Sequence, residues 1–269
     1  MKPLAALLAD IKFSHTIFAM PFALFGAVMA GTMNGSPTWS TFGLQLLLVL
    51  ICMILARTSA MLRNRILDRN IDKSNPRTAQ RALPSGRVST KTATILSNSI
   101  DLLFVASTSV FGFQWDNWLP LILSVPVLSW LCVYPLLKRF TWLCHIFLGA
   151  SLALSPVAAA IAIQPESLSH LPIWLLSGAV LCWVAGFDII YALQDVECDI
   201  RDKLKSMPAS LGIRPAMLIS QFLHCVCVAL LFGVAITEPK LGWLFQGAVI
   251  LAAAILIVEH LTVKKWGTT

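Results

Sequence analysis

Long apolar runs follow one another along most of the chain, and short polar segments separate them. A helix needs about 20 apolar residues to cross a bilayer core that is about 30 Å thick. Runs of that length lie at 13–34, 41–62, 91–113, 118–137, 140–163, 171–194, 213–236 and 241–261. The pattern therefore predicts an all-α bundle of about eight transmembrane helices.

The composition favours one membrane domain without a soluble domain. Of the 269 residues, 57% are hydrophobic and only 12% are charged, which is typical of a multi-spanning helical membrane protein. The two longest polar stretches, near residues 63–90 and 195–214, are too short for an independent globular domain. We therefore expect a single integral-membrane domain over residues 1–269, with these stretches as large loops.

The distribution of Lys and Arg predicts the orientation. When the amino terminus is placed in the cytoplasm, all of the 20 Lys and Arg residues except Lys240 fall on the cytoplasmic side. Because these residues mark the cytoplasmic side in short loops, we expect a multi-pass membrane protein with its amino terminus and both large loops in the cytoplasm. Ala27–Ala30 resembles a signal-peptide cleavage site, but Asp10 and Lys12 precede a run of full spanning length, so we expect this span to be retained.

Other function classes fit the sequence less well. The net charge of +7 has no soluble basic face on which nucleic acid could bind, and the seven cysteines are scattered without a CxxC pair. A transporter needs ionisable groups across the depth of the membrane or helices broken near its midplane. Here nearly all ionisable residues lie at one face, so a multi-span transporter is the weaker alternative. Nothing in the sequence indicates an obligate protein partner.

Two stretches concentrate carboxylates in a chain that otherwise avoids them. The first contains Asn64, Asp68 and Asp72 at spacings of four, and the second contains Asp188, Tyr191, Asp195 and Asp199 at spacings of three, four and four. Residues four apart in an α-helix lie on the same face, about 6 Å apart along the axis. Each stretch is therefore predicted to form one polar stripe at the cytoplasmic end of a span. A single stripe could be a solvated face, but two matched stripes beside cationic loops indicate a binding site.

The cations around the aspartates indicate which ligand the site binds. Carboxylates this close repel one another, and a bound divalent cation removes that repulsion. Magnesium prefers a few carboxylates together with phosphate oxygens and retained waters. Three cationic segments, at 73–87, 138–139 and 201–205, lie on the same side of the membrane. These cations suit a ligand with excess negative charge, so the sequence indicates a magnesium diphosphate, with Mg2+ as the cofactor.

These motifs resemble those of the UbiA-type intramembrane prenyltransferases, and the resemblance covers nearly the whole chain. Asn64-Arg65-x-x-Asp68-x-x-x-Asp72 is similar to the first aspartate motif of that family. Asp188-x-x-Tyr191-x-x-x-Asp195-x-x-x-Asp199 is similar to the second motif, and Tyr134-Pro135-x-x-Lys138-Arg139 to a third signature. The segments at 15–22, 77–86 and 186–195 look like the bacterial 4-hydroxybenzoate polyprenyltransferase branch, including its relatives in the futalosine route to menaquinone.

The resemblance implies transfer of a polyprenyl chain from its diphosphate to an aromatic acid, within a helical bundle around a central cavity. The reaction would serve ubiquinone or menaquinone biosynthesis, and the likeness to the bacterial branch implies a location in the bacterial inner membrane. The resemblance favours 4-hydroxybenzoate as the acceptor. A dihydroxynaphthoate is the main alternative acceptor, and haem or another ring system is a weaker one. Family members usually have nine spans, whereas eight are predicted here. Both aspartate motifs are intact, so the missing span does not affect the residues expected to carry the chemistry. It affects the expected wall of the cavity instead.

The resemblance and the chemistry of the residues together assign roles. The residues expected to hold magnesium are Asp68, Asp72, Asp195 and Asp199, with Asn64 assisting. Those expected to bind the diphosphate are Arg77, Lys138 and Arg139. The expected substrate-binding set is completed by Asn64, Arg57, Arg65 and Tyr134. Asp188 and Tyr191 join the four metal-binding aspartates as expected catalytic residues.

The acceptor pocket has two candidate residues. Arg57 lies seven residues before Asn64, about 10 Å deeper along a helix, where it could bind the acceptor carboxylate or snorkel to lipid phosphates. Asp188 could accept the proton of the ring or orient a phenol, or it could make a structural hydrogen bond with Tyr191 or another neighbour. The other ionisable residues in or near spans are expected to make buried polar contacts rather than to act in catalysis. They are Asp101, His145, His224 and Glu259.

Overall fold

The computed structural model describes Leu7, Asp10, residues 13–33 and residues 37–266, and for residues 13–18 and 264–266 it describes the backbone alone. Lys2 and Lys12, and the side chains of His15–Phe18, Lys264 and Lys265, therefore lie outside the described part of the chain. The predictions made for them stay predictions.

The described residues form helices and no strands, so the all-α prediction is confirmed. The α-helices are α1 (Phe13–Gly31), α2 (Trp39–Ser74), α3 (Thr90–Trp115), α4 (Leu119–Val133), α5 (Cys144–Ile163), α6 (Leu171–Ala192), α7 (Val196–Arg201), α8 (Met207–Leu211), α9 (Ile213–Thr237) and α10 (Gly242–Trp266). Turns of 3₁₀ helix lie at Tyr134–Arg139, Pro165–Ser169, Leu193–Asp195 and Pro239–Leu241.

Seven helical segments among the described residues are long and apolar enough to cross a membrane. They are Trp39–Ser74, Thr90–Trp115, Leu119–Arg139, Cys144–Ile163, Leu171–Arg201, Ile213–Thr237 and Pro239–Val263. These segments match the last seven of the eight predicted spans. The first predicted span corresponds to α1, whose 19 residues are Phe13–Gly31. It is apolar over Ala19–Gly31, the part whose side chains are described.

Large apolar side chains cover the outside of these spans. Leu102, Phe222, Ile236 and Leu251 are each more than half exposed, and they belong to three different helices. Exposed apolar surface on this scale is typical of a face that contacts lipid rather than water. The protein is therefore an integral membrane protein.

Contacts between residues divide the chain into two compact units. The first unit contains Met1–Leu137 and Ser155–Leu168, and the second contains Lys138–Leu154 and Ser169–Thr269. Within the first unit, α2 packs against α1, α3 and α4. Within the second unit, α9 packs along α6, and α10 packs against α9. Each unit carries one of the two aspartate stretches.

Helix α2 is long enough to cross the membrane and continue beyond it. Thr38 caps its first turn by accepting a hydrogen bond from the backbone N–H of Thr41. Its 36 residues extend about 54 Å at 1.5 Å per residue, whereas a bilayer core is about 30 Å thick. The last turns of α2, which contain Asn64, Asp68 and Asp72, therefore lie at or beyond the membrane boundary.

Candidate active site

The first aspartate stripe lies on one continuous α-helix, as predicted. Asn64, Asp68 and Asp72 occupy the last three turns of α2. The stripe is not a solvated face, because Asp68 is only 3% exposed and Asp72 only 7% exposed. Buried carboxylates require a cation or hydrogen-bond donors beside them.

The loop after α2 supplies such a cation. The Nη1 atom of Arg81 lies 2.8 Å from both carboxylate oxygens of Asp72. The hydroxyl of Thr78 donates to the backbone carbonyl of Asp72 at 2.9 Å, which holds the loop against the end of the helix. The Arg65 guanidinium lies within electrostatic range of Asp68, Asp72 and Arg81. The first stripe is therefore surrounded by cations.

Buried apolar residues hold this loop in place. Ala82, Leu83 and Val88 pack in a cluster with Leu62 of α2 and with residues of α3. The carboxylate of Asp10 accepts a hydrogen bond from the backbone N–H of Ala82, which ties an amino-terminal residue to the same loop. Arg77, one of the predicted diphosphate ligands, lies on the exposed surface of the loop. The loop is thus anchored by its buried apolar residues, while the cation Arg77 is exposed on its surface.

Arg57 and Tyr134 lie near each other in the first unit. Arg57 is seven residues before Asn64 on the same uninterrupted helix, as predicted. The Tyr134 hydroxyl is within electrostatic range of its guanidinium. The Nε atom of Arg57 is buried and has no hydrogen-bond partner among the described residues. A buried N–H donor that has no acceptor can bind an anionic ligand, whose oxygen atoms would accept its hydrogen bond.

The second aspartate stretch is not one α-helical stripe, so this part of the prediction was wrong. Asp188 and Tyr191 lie on α6, but the α-helix ends at Ala192 and a 3₁₀ turn, Leu193–Asp195, follows. Asp195 ends that turn, and Asp199 lies on the short helix α7. A 3₁₀ turn has three residues per turn instead of 3.6, so Asp195 and Asp199 do not continue the α-helical spacing of Asp188 and Tyr191. Asp195 is nevertheless within electrostatic range of Asp199.

Asp199 lies beside a cation and a hydroxyl of the second unit. The Ser206 hydroxyl hydrogen-bonds the Asp199 carboxylate, and Lys138 is within electrostatic range of it. The backbone N–H of Leu204 donates to the carbonyl of Asp199 at 2.8 Å, and that of Lys205 donates to the carbonyl of Lys138 at 2.7 Å. The cationic loop after α7 is therefore tied to both residues, and their predicted metal and diphosphate roles stay predictions. Arg139 is exposed at the end of the same 3₁₀ turn as Lys138.

Asp188 is paired with a histidine rather than with Tyr191. His145 Nδ1 lies 2.7 Å from Asp188 Oδ2, and the backbone N–H of Met207 donates to His145 Nε2 at 3.1 Å. The ring of Tyr191 is stacked with that of Phe187, with their centroids 6.4 Å apart. His145 is thus a buried polar contact, as predicted, but one that reaches a predicted catalytic residue.

Sequence reasoning gave no role in the site to three residues of these surroundings. They are Arg81, His145 and Ser206, which contact Asp72, Asp188 and Asp199 respectively. Arg81 lies within the family-like segment 77–86, and His145 follows the Tyr134–Arg139 signature by six residues. For Arg81 and His145, the only indication of a role in the sequence was therefore their position within or close to a motif.

Two of the other ionisable residues, Asp101 and His224, make polar contacts, as predicted. Asp101 accepts a hydrogen bond from Arg63 at 2.6 Å and another from Ser59. His224 Nδ1 lies 2.9 Å from His260 Nε2, and its Nε2 lies 3.3 Å from the carbonyl oxygen of Trp183. For Glu259 the prediction stays open.

The oxygen donors of the two stretches fit magnesium. Among the described residues, no three Asp, Glu, His or Cys side chains form a group that could hold a metal by themselves. Magnesium usually takes one or two carboxylates and completes its shell with waters and substrate phosphate oxygens. Carboxylates arranged in pairs, with Lys and Arg beside them, have the chemistry that such binding needs.

Comparison with known proteins gives consistent matches. Residues 19–268 match the family described as the UbiA prenyltransferase family. The 4-hydroxybenzoate octaprenyltransferase of Colwellia psychrerythraea is 31% identical over 222 residues, which cover 82% of this chain and 74% of that protein. The apo structure of a UbiA homologue from Aeropyrum pernix is 33% identical, has a TM-score of 0.81, and covers 93% of this chain and 88% of that chain. A UbiA homologue from Archaeoglobus fulgidus bound to DMAPP and Mg2+ has a TM-score of 0.74 at 18% identity, over 98% of this chain and 88% of that chain.

Proposed function

Since this chain belongs to the UbiA prenyltransferase family, we propose that it transfers a polyprenyl chain from polyprenyl diphosphate to 4-hydroxybenzoate. The reaction would supply a prenylated aromatic acid for quinone biosynthesis. Relatives named 4-hydroxybenzoate octaprenyltransferase, at 31% identity over most of the chain, support this acceptor. The UbiA homologue bound to DMAPP and Mg2+ supports a magnesium-dependent reaction with a prenyl diphosphate.

The observation that carries the proposal is the buried carboxylate stripe at the end of α2. Asp68 and Asp72 are almost fully buried, and a carboxylate in such a place requires a nearby cation. Arg81 fills that need for Asp72. A bound magnesium diphosphate would place the positive metal ion beside the carboxylates. It would place its negative phosphate groups beside the surrounding Lys and Arg.

The donor side of the reaction is assigned to residues of both aspartate stretches. Asp68, Asp72, Asp195 and Asp199 would hold magnesium, with Asn64 assisting. When bound, the metal neutralises the diphosphate as it leaves with the electron pair of the broken C–O bond. The residues that would bind that leaving group are Arg65, Arg77, Lys138 and Arg139. The apolar faces of the spans would enclose the prenyl chain.

The acceptor side is assigned to residues of three elements, which are α2, the 3₁₀ turn Tyr134–Arg139 and α6. Arg57, with its buried and unpartnered Nε, would bind the acceptor carboxylate, and Tyr134 would line the same pocket. The electron-rich ring attacks the allylic cation and forms the new C–C bond. Asp188 would then accept the proton that the ring loses. Tyr191, which lies one turn after Asp188 on α6, would lie along the path of the substrate.

We propose the same location and organisation that the sequence predicts. The chain would lie in the bacterial inner membrane, with its amino terminus and both aspartate stretches in the cytoplasm. The bias of Lys and Arg in the loops supports that orientation. Residues 1–269 would form one integral-membrane prenyltransferase domain.

The test uses membranes that contain the protein, a labelled polyprenyl diphosphate, Mg2+ and one candidate acid per reaction. We expect a labelled product with 4-hydroxybenzoate and none when a chelator removes the metal. Asp68→Ala and Asp195→Ala should each lower the rate by at least about 100-fold, since each removes a metal ligand.

Asp116→Asn provides a matched control. Asp116 caps the end of α3 that is distant from the first loop, in a left-handed conformation that Asn also tolerates. This variant removes one carboxylate and should keep the wild-type rate. If no acid is prenylated, the proposed function is wrong. If only a dihydroxynaphthoate is prenylated, the reaction stands and the acceptor assignment is wrong.

A further inference from the structure

The two ring nitrogens of His145 have different and definite hydrogen-bond roles. Because the backbone N–H of Met207 is a donor, the Nε2 atom that it contacts at 3.1 Å must be the acceptor. The ring proton is therefore on Nδ1, and Nδ1–H donates to Asp188 Oδ2 at 2.7 Å. The neutral tautomer of His145 is set by Met207, the first residue of helix α8.

The packing of α5 against α6 brings His145 to Asp188. Gly149 lies one turn after His145 on the same face of α5, and a Cβ atom there would lie 2.4 Å from the carbonyl oxygen of Leu181. One turn further along, the Ser177 hydroxyl of α6 donates to the carbonyl of Ala153 at 2.8 Å. The two helices therefore run antiparallel in close contact, and the absent side chain of Gly149 is what permits that contact.

An apolar cluster lies directly beside the three hydrogen-bonded residues. Ile189 and Met207 are almost fully buried, and Ile146 packs against them. Ile189 follows Asp188, and Ile146 follows His145, so the polar contact and the apolar cluster are built from neighbouring residues. His145 itself is 4% exposed, whereas the side chain of Asp188 is 30% exposed. His145 is thus held inside the protein, and Asp188 stays accessible.

We infer that His145 is a positioning residue for Asp188, an inference that rests on the proposed function. Its Nδ1–H fixes Oδ2 of Asp188, so that Oδ1 is left to accept the proton that the ring loses after the new C–C bond has formed. His145 does not itself move a proton, because its Nε2 is already engaged by the backbone of Met207. The same bond to Met207 links the orientation of Asp188 to the loop that contacts Lys138 and Asp199.

The first test compares His145→Gln with His145→Met. A Gln side chain offers both an N–H donor and a carbonyl acceptor, so it can make both hydrogen bonds, whereas Met has similar length and makes neither. We expect His145→Gln to keep kcat within about threefold of the wild type and His145→Met to lose at least about tenfold. The KM for polyprenyl diphosphate should stay unchanged in both. A wild-type kcat for His145→Met, or an equal loss in both variants, would overturn the inference.

A second test asks whether His145 acts through Asp188. Residues that act as a unit give non-additive losses, so His145→Met should lower kcat much less in an Asp188→Asn background than in the wild type. Equal losses in the two backgrounds would show that His145 has a purely structural role and would contradict the inference.

A spectroscopic test covers the case in which His145→Met does not fold. Nitrogen NMR of protein labelled at histidine identifies the ring nitrogen that carries the proton, and the signal of His145 is the one that His145→Gln removes. Protonation at Nδ1 supports the inference, and protonation at Nε2 contradicts it. This measurement needs no substrate, so it stays informative even if the wild type prenylates no acceptor and the proposed function falls.

Discussion

Arg81 Nη1 donates to both carboxylate oxygens of Asp72, at 2.8 Å from each. The two side chains are 22% and 10% exposed, so the pair is largely shielded from water. Breaking such a pair by removing one partner is costly, because the other charge stays buried. The pair therefore neutralises the Asp72 carboxylate with a cation of the protein itself.

Arg81→Ala should lower the stability of the protein by about 1–3 kcal/mol when a chelator is present. The loss should be smaller in millimolar Mg2+, since a metal bound at Asp72 would replace the missing positive charge. Thermal unfolding in detergent, with and without Mg2+, measures both effects.

Lys91→Ala is the matched control for Arg81→Ala, because Lys91 is an exposed cation at the start of α3. Its stability should be that of the wild type in both conditions. An equal loss for Arg81→Ala with and without Mg2+ would indicate that Asp72 does not bind the metal.

Gly149→Ala should destabilise the protein, although Ala normally favours a helix over Gly by about 1 kcal/mol. The new Cβ atom would lie 2.4 Å from the backbone carbonyl of Leu181, so α5 and α6 would have to separate. We expect a loss of about 1–3 kcal/mol in unfolding free energy. Gly43→Ala is the control, because Gly43 lies in α2 and a Cβ atom there meets nothing within 4 Å. A stabilised Gly149→Ala variant would contradict the close contact of the two helices.

The sequence is sufficient to predict the first stripe because its geometry is local. Asn64, Asp68 and Asp72 lie on a single long α-helix, so a spacing of four is enough to place them on one face. The spans are predictable for a similar reason, since the length of an apolar run decides whether a helix can cross a bilayer.

The second stretch is less predictable because it does not depend on local spacing alone. Spacings of three, four and four suit a continuous α-helix, yet a 3₁₀ turn occupies Leu193–Asp195. The following loop is bound to distant residues, through Lys205 to Lys138 and through Met207 to His145. Contacts of this kind join positions more than 60 residues apart, and a spacing pattern contains no information about them.

A double-mutant cycle should show that Arg63 and Asp101 stabilise the contact between α2 and α3. Their ion pair spans 2.6 Å, and Asp101 also accepts a hydrogen bond from Ser59. We expect each of Arg63→Met and Asp101→Leu to lower the unfolding free energy, and the double variant to lose less than the sum. A coupling energy of about 1–3 kcal/mol is expected for residues in direct contact. Additive losses would show that the ion pair contributes little to stability, which is the usual result for exposed ion pairs.

Arg57→Ala should raise the KM for the aromatic acid and leave the KM for polyprenyl diphosphate unchanged. The buried Nε of Arg57 has no hydrogen-bond partner among the described residues, so an acceptor carboxylate would satisfy it. A charge-assisted hydrogen bond contributes about 1.5–3 kcal/mol, which corresponds to roughly 10–100-fold in KM. The matched control is phenol, which lacks the carboxylate, and wild type and variant should use it equally poorly. An unchanged KM for 4-hydroxybenzoate would indicate that Arg57 interacts with lipid phosphates instead.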